Sequence, residues 1–381
     1  MYDAFQVLIN GLFDSHNLSG TQPIDGKLTR EQSGMTESLI DLSSDTATCP
    51  TPAMRRTMAE APVGDEQKGE DPTVNLLQEK TANLLGKEAV IFLPSSTMSN
   101  EIAFKVHTRP DDEIIMEQSS HPIHFEVGGP AFHSGAMIYP IAGHRGLFQP
   151  DQLQAVIRPD APHFPRSRLV SLENTHNMGG GTIWPVEQLE GVCATARQHD
   201  LALHLDGARL LNAVVASGIP AARYAAPFDS VCLCLSKGLG APVGSVLAGS
   251  QAFIREARRY KHLFGGAMRQ AGIIAAGGVY ALDHNIERLA EDHANAQLLA
   301  EGLSSMTGVD INPEHVETNI IFFELTPETP FTAPVFVERL EQRGVRMIAM
   351  GPSRIRAVTH LDVSRPGIEM ALDIIRDVLQ G

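Results

Sequence analysis

Cysteine is scarce in this chain: four in 381 residues, two of them as Cys232-Leu233-Cys234 inside an apolar run. Thiols so few and so placed supply neither a disulfide framework nor a zinc site; they read as reduced core residues, and a cytoplasmic protein is expected. Positive charge is in deficit too. Thirty Lys and Arg against 45 Asp and Glu leave a formal net charge of −15, which argues against a nucleic-acid partner or an anionic membrane surface. Contacts to an acidic ligand must therefore be local. Long hydrophobic runs are missing as well: the longest, around Ala271 to Leu282, is too short to span a bilayer. The sequence opens Met1-Tyr2-Asp3 without a basic region ahead of its apolar residues, so no secretory signal is expected. There is no internal repeat and no low-complexity tract. What remains is a globular composition, 43% hydrophobic and 20% charged, with length for one large and one smaller domain.

Within that chain, Ser236-Lys237-Gly238-Leu239-Gly240-Ala241-Pro242 stands out. The apolar run Ser230 to Leu235 reads as a buried strand, and two glycines and a proline follow its lysine. A lysine held at a strand end where water is scarce becomes a usable nucleophile toward a carbonyl, and lysine is the residue that forms a Schiff base with pyridoxal phosphate (PLP). About thirty residues upstream, the strand Leu201 to Leu205 runs into Asp206-Gly207-Ala208-Arg209. An aspartate at a strand end supplies the counter-charge that keeps the pyridine nitrogen of PLP protonated. Ligands of open α/β sheets bind outside the carboxyl ends of the strands, so Asp206 and Lys237 are expected to face one crevice. A third element is the turn Pro94-Ser95-Ser96-Thr97 between a strand and a helix. Free backbone N–H groups at the positive end of a helix dipole, with the Ser96 and Thr97 hydroxyls, form a phosphate cup.

Residues 1–37 are polar and read as an N-terminal extension, either non-native or disordered, with a short amphipathic helix from Phe5 to Phe13 and a natural start at Met35. A large domain is expected over 38–285 and a small α+β domain over 286–381. In the first, Asp41 to Thr46 is a short strand entering a polar loop, and Thr51-Pro52 starts a helix. The acidic loop Val63 to Asp71 ends in a helix cap, Asp71 before Pro72. Seven strands follow, Ala89–Leu93, Glu113–Met116, Ala136–Tyr139, Arg168–Glu173, Leu201–Leu205, Ser230–Leu235 and Gly244–Ala248. Helical patterns lie near 98–107, 150–157, 186–199 and 208–217, then over 250–263 and 268–303. This is an α/β fold with a mixed, mostly parallel seven-stranded sheet. The tail carries strands at Asn319–Leu325, Val345–Ala349 and Ile355–Val358, and helices near 332–343 and 366–379. His121, after Ser119-Ser120 at a strand end, is placed to stack on a flat cofactor. His163, in Pro162-His163-Phe164-Pro165, reads as a surface residue of a polar loop. His284 and His293 read as solvated.

The chain resembles the threonine aldolase family, in the β-eliminating lyase branch of the fold-type-I PLP enzymes. The resemblance runs from about Ile40 to the C-terminus. It rests on Gly69-Glu70-Asp71-Pro72-Thr73, Leu172-Glu173-Asn174-Thr175-His176-Asn177, His204-Leu205-Asp206-Gly207-Ala208-Arg209, Leu235 through Gly244, Gly265 through Gln270, and Val358-Thr359-His360-Leu361-Asp362. It implies Lys237 as the cofactor lysine and Asp206 as partner of the pyridine nitrogen. Arg209 would bond the cofactor's phenolic oxygen or the substrate carboxylate, His121 would stack on the ring, and Ser96 with Thr97 would hold the phosphate. Ser44 and Arg356 would bind the substrate carboxylate, His163 would contact the β-hydroxyl and accept its proton (a role a water held by His121 would serve equally), and Arg269 would reach a phosphate in a neighbouring subunit. The implied assembly is a homotetramer with shared active sites.

Departures from the family pattern bear on the substrate. Lys68 stands where a tyrosine is usual, Ser43 where arginine is usual, and Ser96 where glycine is usual; 119–125 lacks the usual tyrosines beside the histidine. A cation at Lys68 would favour an acidic side chain or leave the pocket more open. The implied reaction is retro-aldol cleavage of L-threonine or a related β-hydroxy-α-amino acid to glycine and an aldehyde. The same residues serve a β-eliminating lyase, an aminotransferase or a racemase, and a blocked pocket would leave a PLP-binding protein without turnover. No metal is implied.

Overall fold

The computed structural model describes residues 39–380. The expected extension 1–37, its helix and Met35 lie outside the described residues. A first short strand, β1 (Ile40–Asp41), is followed by seven that build one sheet. These are β2 (Ala89–Leu93), β3 (Asp112–Glu117), β4 (Met137–Ile141), β5 (Arg166–Glu173), β6 (Ala202–Gly207), β7 (Ser230–Cys234) and β8 (Ser245–Gly249), in spatial order β2-β8-β7-β6-β5-β3-β4. Only β8 runs against its neighbours. The parallel strands are joined through helices that cover both faces, so β3 and β7 are buried at every position; β7 reads as the apolar run such burial favours, whereas β3 buries Asp112, Glu113 and Glu117 at its ends. The expected strands therefore match the observed ones to within about three residues.

The register sets the site. Glu173 of β5 lies beside Asp206 of β6, and Asp206 beside Cys232 of β7. All three chains then leave the sheet at the same edge. Close approach is built in at Gly207, where a Cβ would sit 2.4 Å from the Cys232 carbonyl oxygen. Only glycine lets the chain turn there. The helix Ser96–His107 begins directly after β2, its first turn capped by Ser95, whose Oγ accepts from the Met98 N–H at 3.2 Å.

The expected helix over 268–303 is two helices, Gly272–His284 and Leu289–Ser304. Asn285 breaks it: its side chain donates to the Leu239 carbonyl at 2.7 Å, tying the break to the loop that carries Lys237. The expected strand Val345–Ala349 is also divided. After β9 (Val309–Asp310) and β10 (Ile320–Leu325), β11 (Val345–Arg346) pairs in parallel with β1, whereas β12 (Ile348–Ala349) pairs with β13 (Arg354–Val358). A sheet β12-β13-β10-β9 results.

Two main apolar clusters hold the chain. One surrounds the large sheet and includes Leu205, Leu233 and Trp184; the other packs Leu299, Phe323, Phe336 and Ile375 with Ile40 and Leu42. The first strand forms a separate two-stranded sheet with β11 and packs with the second cluster. Truncating any one of these fully buried leucines to alanine costs about 2–5 kcal/mol.

Candidate active site

Asp206, the last residue but one of β6, is only 3% exposed. Its Oδ1 accepts from the Ala208 N–H at 3.1 Å and its Oδ2 from Asn100 Nδ2 at 2.8 Å. Asn100 is fixed from behind. His204 Nε2 lies 3.1 Å from Asn100 Oδ1, His204 Nδ1 lies 2.8 Å from Ser230 Oγ, and His107 Nε2 lies 2.8 Å from the same hydroxyl. Burial pushes His204 down to about 3, against the pull of Asp206, and His107 down to about 4. Both rings are neutral, so one proton order satisfies the chain. His107 donates to Ser230, Ser230 to His204 and His204 to the Asn100 carbonyl, and the Asn100 N–H groups then point at carboxylates. Their second target is Glu126 Oε1, at 2.9 Å.

His121 is held from two sides. Its backbone N–H donates to Glu173 Oε2 at 2.9 Å, and its Nδ1 meets Glu126 Oε1 at 2.8 Å. Burial acts to lower its pKa, but Glu126, Asp206 and Glu173 outweigh that and raise it above 6.5. Beneath it, buried His176 accepts the Gly179 N–H on Nδ1 and turns Nε2 toward Glu117, at 3.4 Å, and Glu173, at 3.8 Å. Burial lowers the pKa of His176, and Glu173 with Glu117 reverses that to a net rise.

On the facing wall Arg209 clasps Asp45. Its Nε donates to Oδ2 and its Nη2 to Oδ1, both at 2.7 Å and fully buried. Burial alone pushes the Asp45 carboxyl up; Arg209, Lys237 and Arg356 outweigh it and hold the group well below 3.8. Arg356 reaches in from β13, donating to Asn177 Oδ1 at 3.2 Å. Its Nε is buried with no partner, and burial, with Arg209 nearby, brings its pKa down to about 10. Lys237 follows β7 and is half-buried; its carbonyl accepts from Thr48 Oγ1 at 3.0 Å. Ser96 Oγ, at the helix start, is likewise buried and unpartnered, while Thr97 is exposed.

Of the residues expected at one crevice, Asp206, Arg209, His121, Lys237, Ser96 and Arg356 converge on the carboxyl ends of the strands. Arg209 spends Nε and Nη2 on Asp45, and its Nη1 lies 3.5 Å from Asn177 Oδ1. Ser44 caps a short turn, its Oγ accepting from the Thr46 N–H at 3.2 Å. His163 is not brought in within one chain. It sits exposed against Phe164, before the start of β5. Eight residues of strand, roughly 26 Å at about 3.3 Å each, separate it from Glu173. Lys68 and Arg269 lie together on the surface, where the Arg269 carbonyl accepts from the Glu66 N–H at 3.0 Å and its guanidinium meets Asp65 at 3.6 Å. His293 is half-buried against Asn212 at 2.9 Å and not solvated. Sequence reasoning missed Asp45, Asn100 and Glu126. The one available signal was Ser99-Asn100-Glu101, three polar residues on a helix otherwise apolar toward the sheet.

The orphaned Ser96 Oγ at a helix N-terminus, the fixed Asp206 carboxylate, the Lys237 amine and the unspent Arg356 Nε fit a ligand that carries a phosphate, a protonated ring nitrogen, a carbonyl carbon and a carboxylate. Comparisons agree. Residues 41–326 match the family described as beta-eliminating lyase. The chain is 45% identical over 328 residues to the low specificity L-threonine aldolase of Escherichia coli (strain K12), covering 86% of this chain and 95% of that protein. It shares the fold of the Leishmania major threonine aldolase, with TM-score 0.75 at 20% identity over 89% of this chain and 99% of that one. It also shares the fold of SPT solved with PLP, with TM-score 0.69 at 17% identity over 89% and 87%. From matched sequence, fold and site together, the chain belongs to the beta-eliminating lyase family.

Proposed function

We propose that this protein is a PLP-dependent carbon–carbon lyase that cleaves L-threonine, or a related β-hydroxy-α-amino acid, to glycine and an aldehyde. The observation that carries this reading is the placement of Asp206 and Lys237 at the ends of neighbouring strands β6 and β7, beside the orphaned Ser96 hydroxyl. PLP, when bound, supplies the electron sink that accepts the electron pair released as the Cα–Cβ bond breaks. Lys237 attaches the cofactor, Asp206 holds the pyridine proton, and Ser96 with the helix N-terminus binds the phosphate. Arg356 binds the substrate carboxylate, with its Nε as the unspent donor. His121 replaces His163 as acceptor of the β-hydroxyl proton within the chain, because Glu126 fixes its Nδ1 and leaves Nε2 for the site.

Oligomerisation completes the picture. Lys68, Arg269 and His163 are exposed, and Val127, Phe132 and Leu263 are 100%, 85% and 70% exposed. A homotetramer with shared active sites covers these side chains and gives the three polar residues a neighbour's site to serve. Among the described residues no helix is long and apolar enough to cross a membrane. Four free thiols support a reducing compartment, the cytoplasm.

The test is product analysis of the PLP-loaded protein with L-threonine. Acetaldehyde and glycine in equal amounts, lost in Lys237→Ala, are expected. Borohydride reduction is expected to leave the cofactor on the peptide that contains Lys237. Pyruvate with ammonia, a keto acid or D-threonine in their place would sink the aldol reading.

A further inference from the structure

The Glu101 and Glu126 side chains face each other within hydrogen-bonding reach, and among the described residues neither pairs with a lysine or arginine. Glu101 follows Asn100 on the helix Ser96–His107; it is 3% exposed, and both its carboxyl oxygens are buried without a partner. Its carboxyl packs on the backbone of Gly129, where a Cβ would lie 2.0 Å from Oε1. Glu126, also 3% exposed, spends Oε1 on Asn100 and His121 and leaves Oε2 buried and unpartnered. Among the described residues, the only ion pair to either carboxyl is His121 to Glu126. The other charged groups facing the pair are Asp206, toward Glu126, and Glu173, toward His121. All are carboxylates.

Two adjacent carboxyls in such surroundings do not both ionise; one retains a proton and donates it to the other. The orphaned oxygens are the ones such a proton would bridge. Burial, and then the neighbouring Glu126, push Glu101 from 4.5 up to about 9. We propose that Glu101 and Glu126 hold one proton between them, and that this acid–carboxylate pair is the positioning group that keeps the Nδ1–H of His121 turned inward. The second half rests on the reading of His121 as proton acceptor. The first half does not.

Glu101→Gln keeps a donor in place of the acid but has no proton to lose. Infrared difference spectra of the PLP-loaded protein near pH 7 are expected to show a protonated-carboxyl carbonyl stretch in the wild type that vanishes in the variant. The folded wild type binds a proton at Glu101 that the unfolded chain gives up above 4.5, so its stability falls as pH rises toward about 9. The melting temperature of Glu101→Gln minus that of the wild type is therefore expected to widen by several degrees from about pH 5 to about pH 9. Glu126→Gln removes the charge beside His121, and the acid limb of kcat/KM is expected to move down by about one pH unit. An absent carbonyl band with a flat melting difference overturns the shared proton, and an unmoved acid limb in Glu126→Gln overturns the positioning role. If threonine is not cleaved at all, the aldolase reading has failed, yet the infrared and melting experiments still decide the shared proton.

Discussion

Arg209 and Asp45 are joined by two parallel hydrogen bonds of 2.7 Å, and the aspartate approaches from a segment 164 positions earlier in the chain. Asp45 is fully buried and Arg209 nearly so. Removing one partner strands the other as a buried, unpaired charge, which costs about 3–5 kcal/mol. Asp45→Ala is expected to lose stability on that scale, measured by urea denaturation of the PLP-loaded protein. Because the folded-state pKa of Asp45 is depressed, its contribution is present above 3.8 and disappears as pH falls through the lower folded value. The gap between wild type and variant should therefore close in acid.

Arg356 is the free arm by contrast. Deleting it removes a charge-assisted bond to the substrate carboxylate, worth about 3 kcal/mol or about a hundredfold. Arg356→Gln is expected to lower kcat/KM for L-threonine by about that factor, with PLP still retained by visible absorbance. Arg356→Lys should recover only part, since a single ammonium cannot reproduce the planar fork. Equal activity in Arg356→Gln and wild type would remove Arg356 from the substrate.

His121 must be neutral at Nε2 to accept a proton. Its raised pKa means that kcat/KM climbs with pH through a value above 6.5. His121→Asn should flatten that limb and cost about 10²–10⁴-fold in rate. His163→Asn should leave the limb in place.

The lysine and aspartate of this site were legible because each ends an apolar run and is followed by turn formers. The seven strands were legible for the same reason. Asp45, Asn100 and Glu126 were not, because their roles depend on partners far off in sequence: Asn100 meets Asp206 across 106 positions. The helix break at Asn285 was hidden likewise, since nothing local marks a carboxamide whose acceptor is the Leu239 carbonyl.

Asn100 gives a third kind of test. Asn100→Ala leaves Asp206 Oδ2 without its donor, at a cost of about 1–3 kcal/mol, while Glu126 Oε1 keeps His121 Nδ1. Weaker PLP retention and a lower melting temperature are expected together. Unchanged values for both would mean that water replaces the carboxamide.

Shared active sites are checked by mixing. Lys237→Ala disables the cleft of its own chain, and Arg269→Ala disables what it gives to a neighbour. Dissociated and reassembled together, the two inactive proteins should recover part of the wild-type rate. Recovery of none would confine each active site to one chain.

The pairing of β1 with β11 makes the small unit a knot tied at both ends of the described chain. Ile40 and Leu42 from one end pack with Ile368, Ala371 and Ile375 from the other, and the whole large sheet lies between them in sequence. In connectivity the large unit is an excursion from the small one. The small unit therefore cannot peel away from a single end, and its loosening must release both at once. Asp45, three residues beyond Leu42, and Arg356 on β13 go with that same unit, so the clasp on Arg209 and the bond of Arg356 to Asn177 would part in one event.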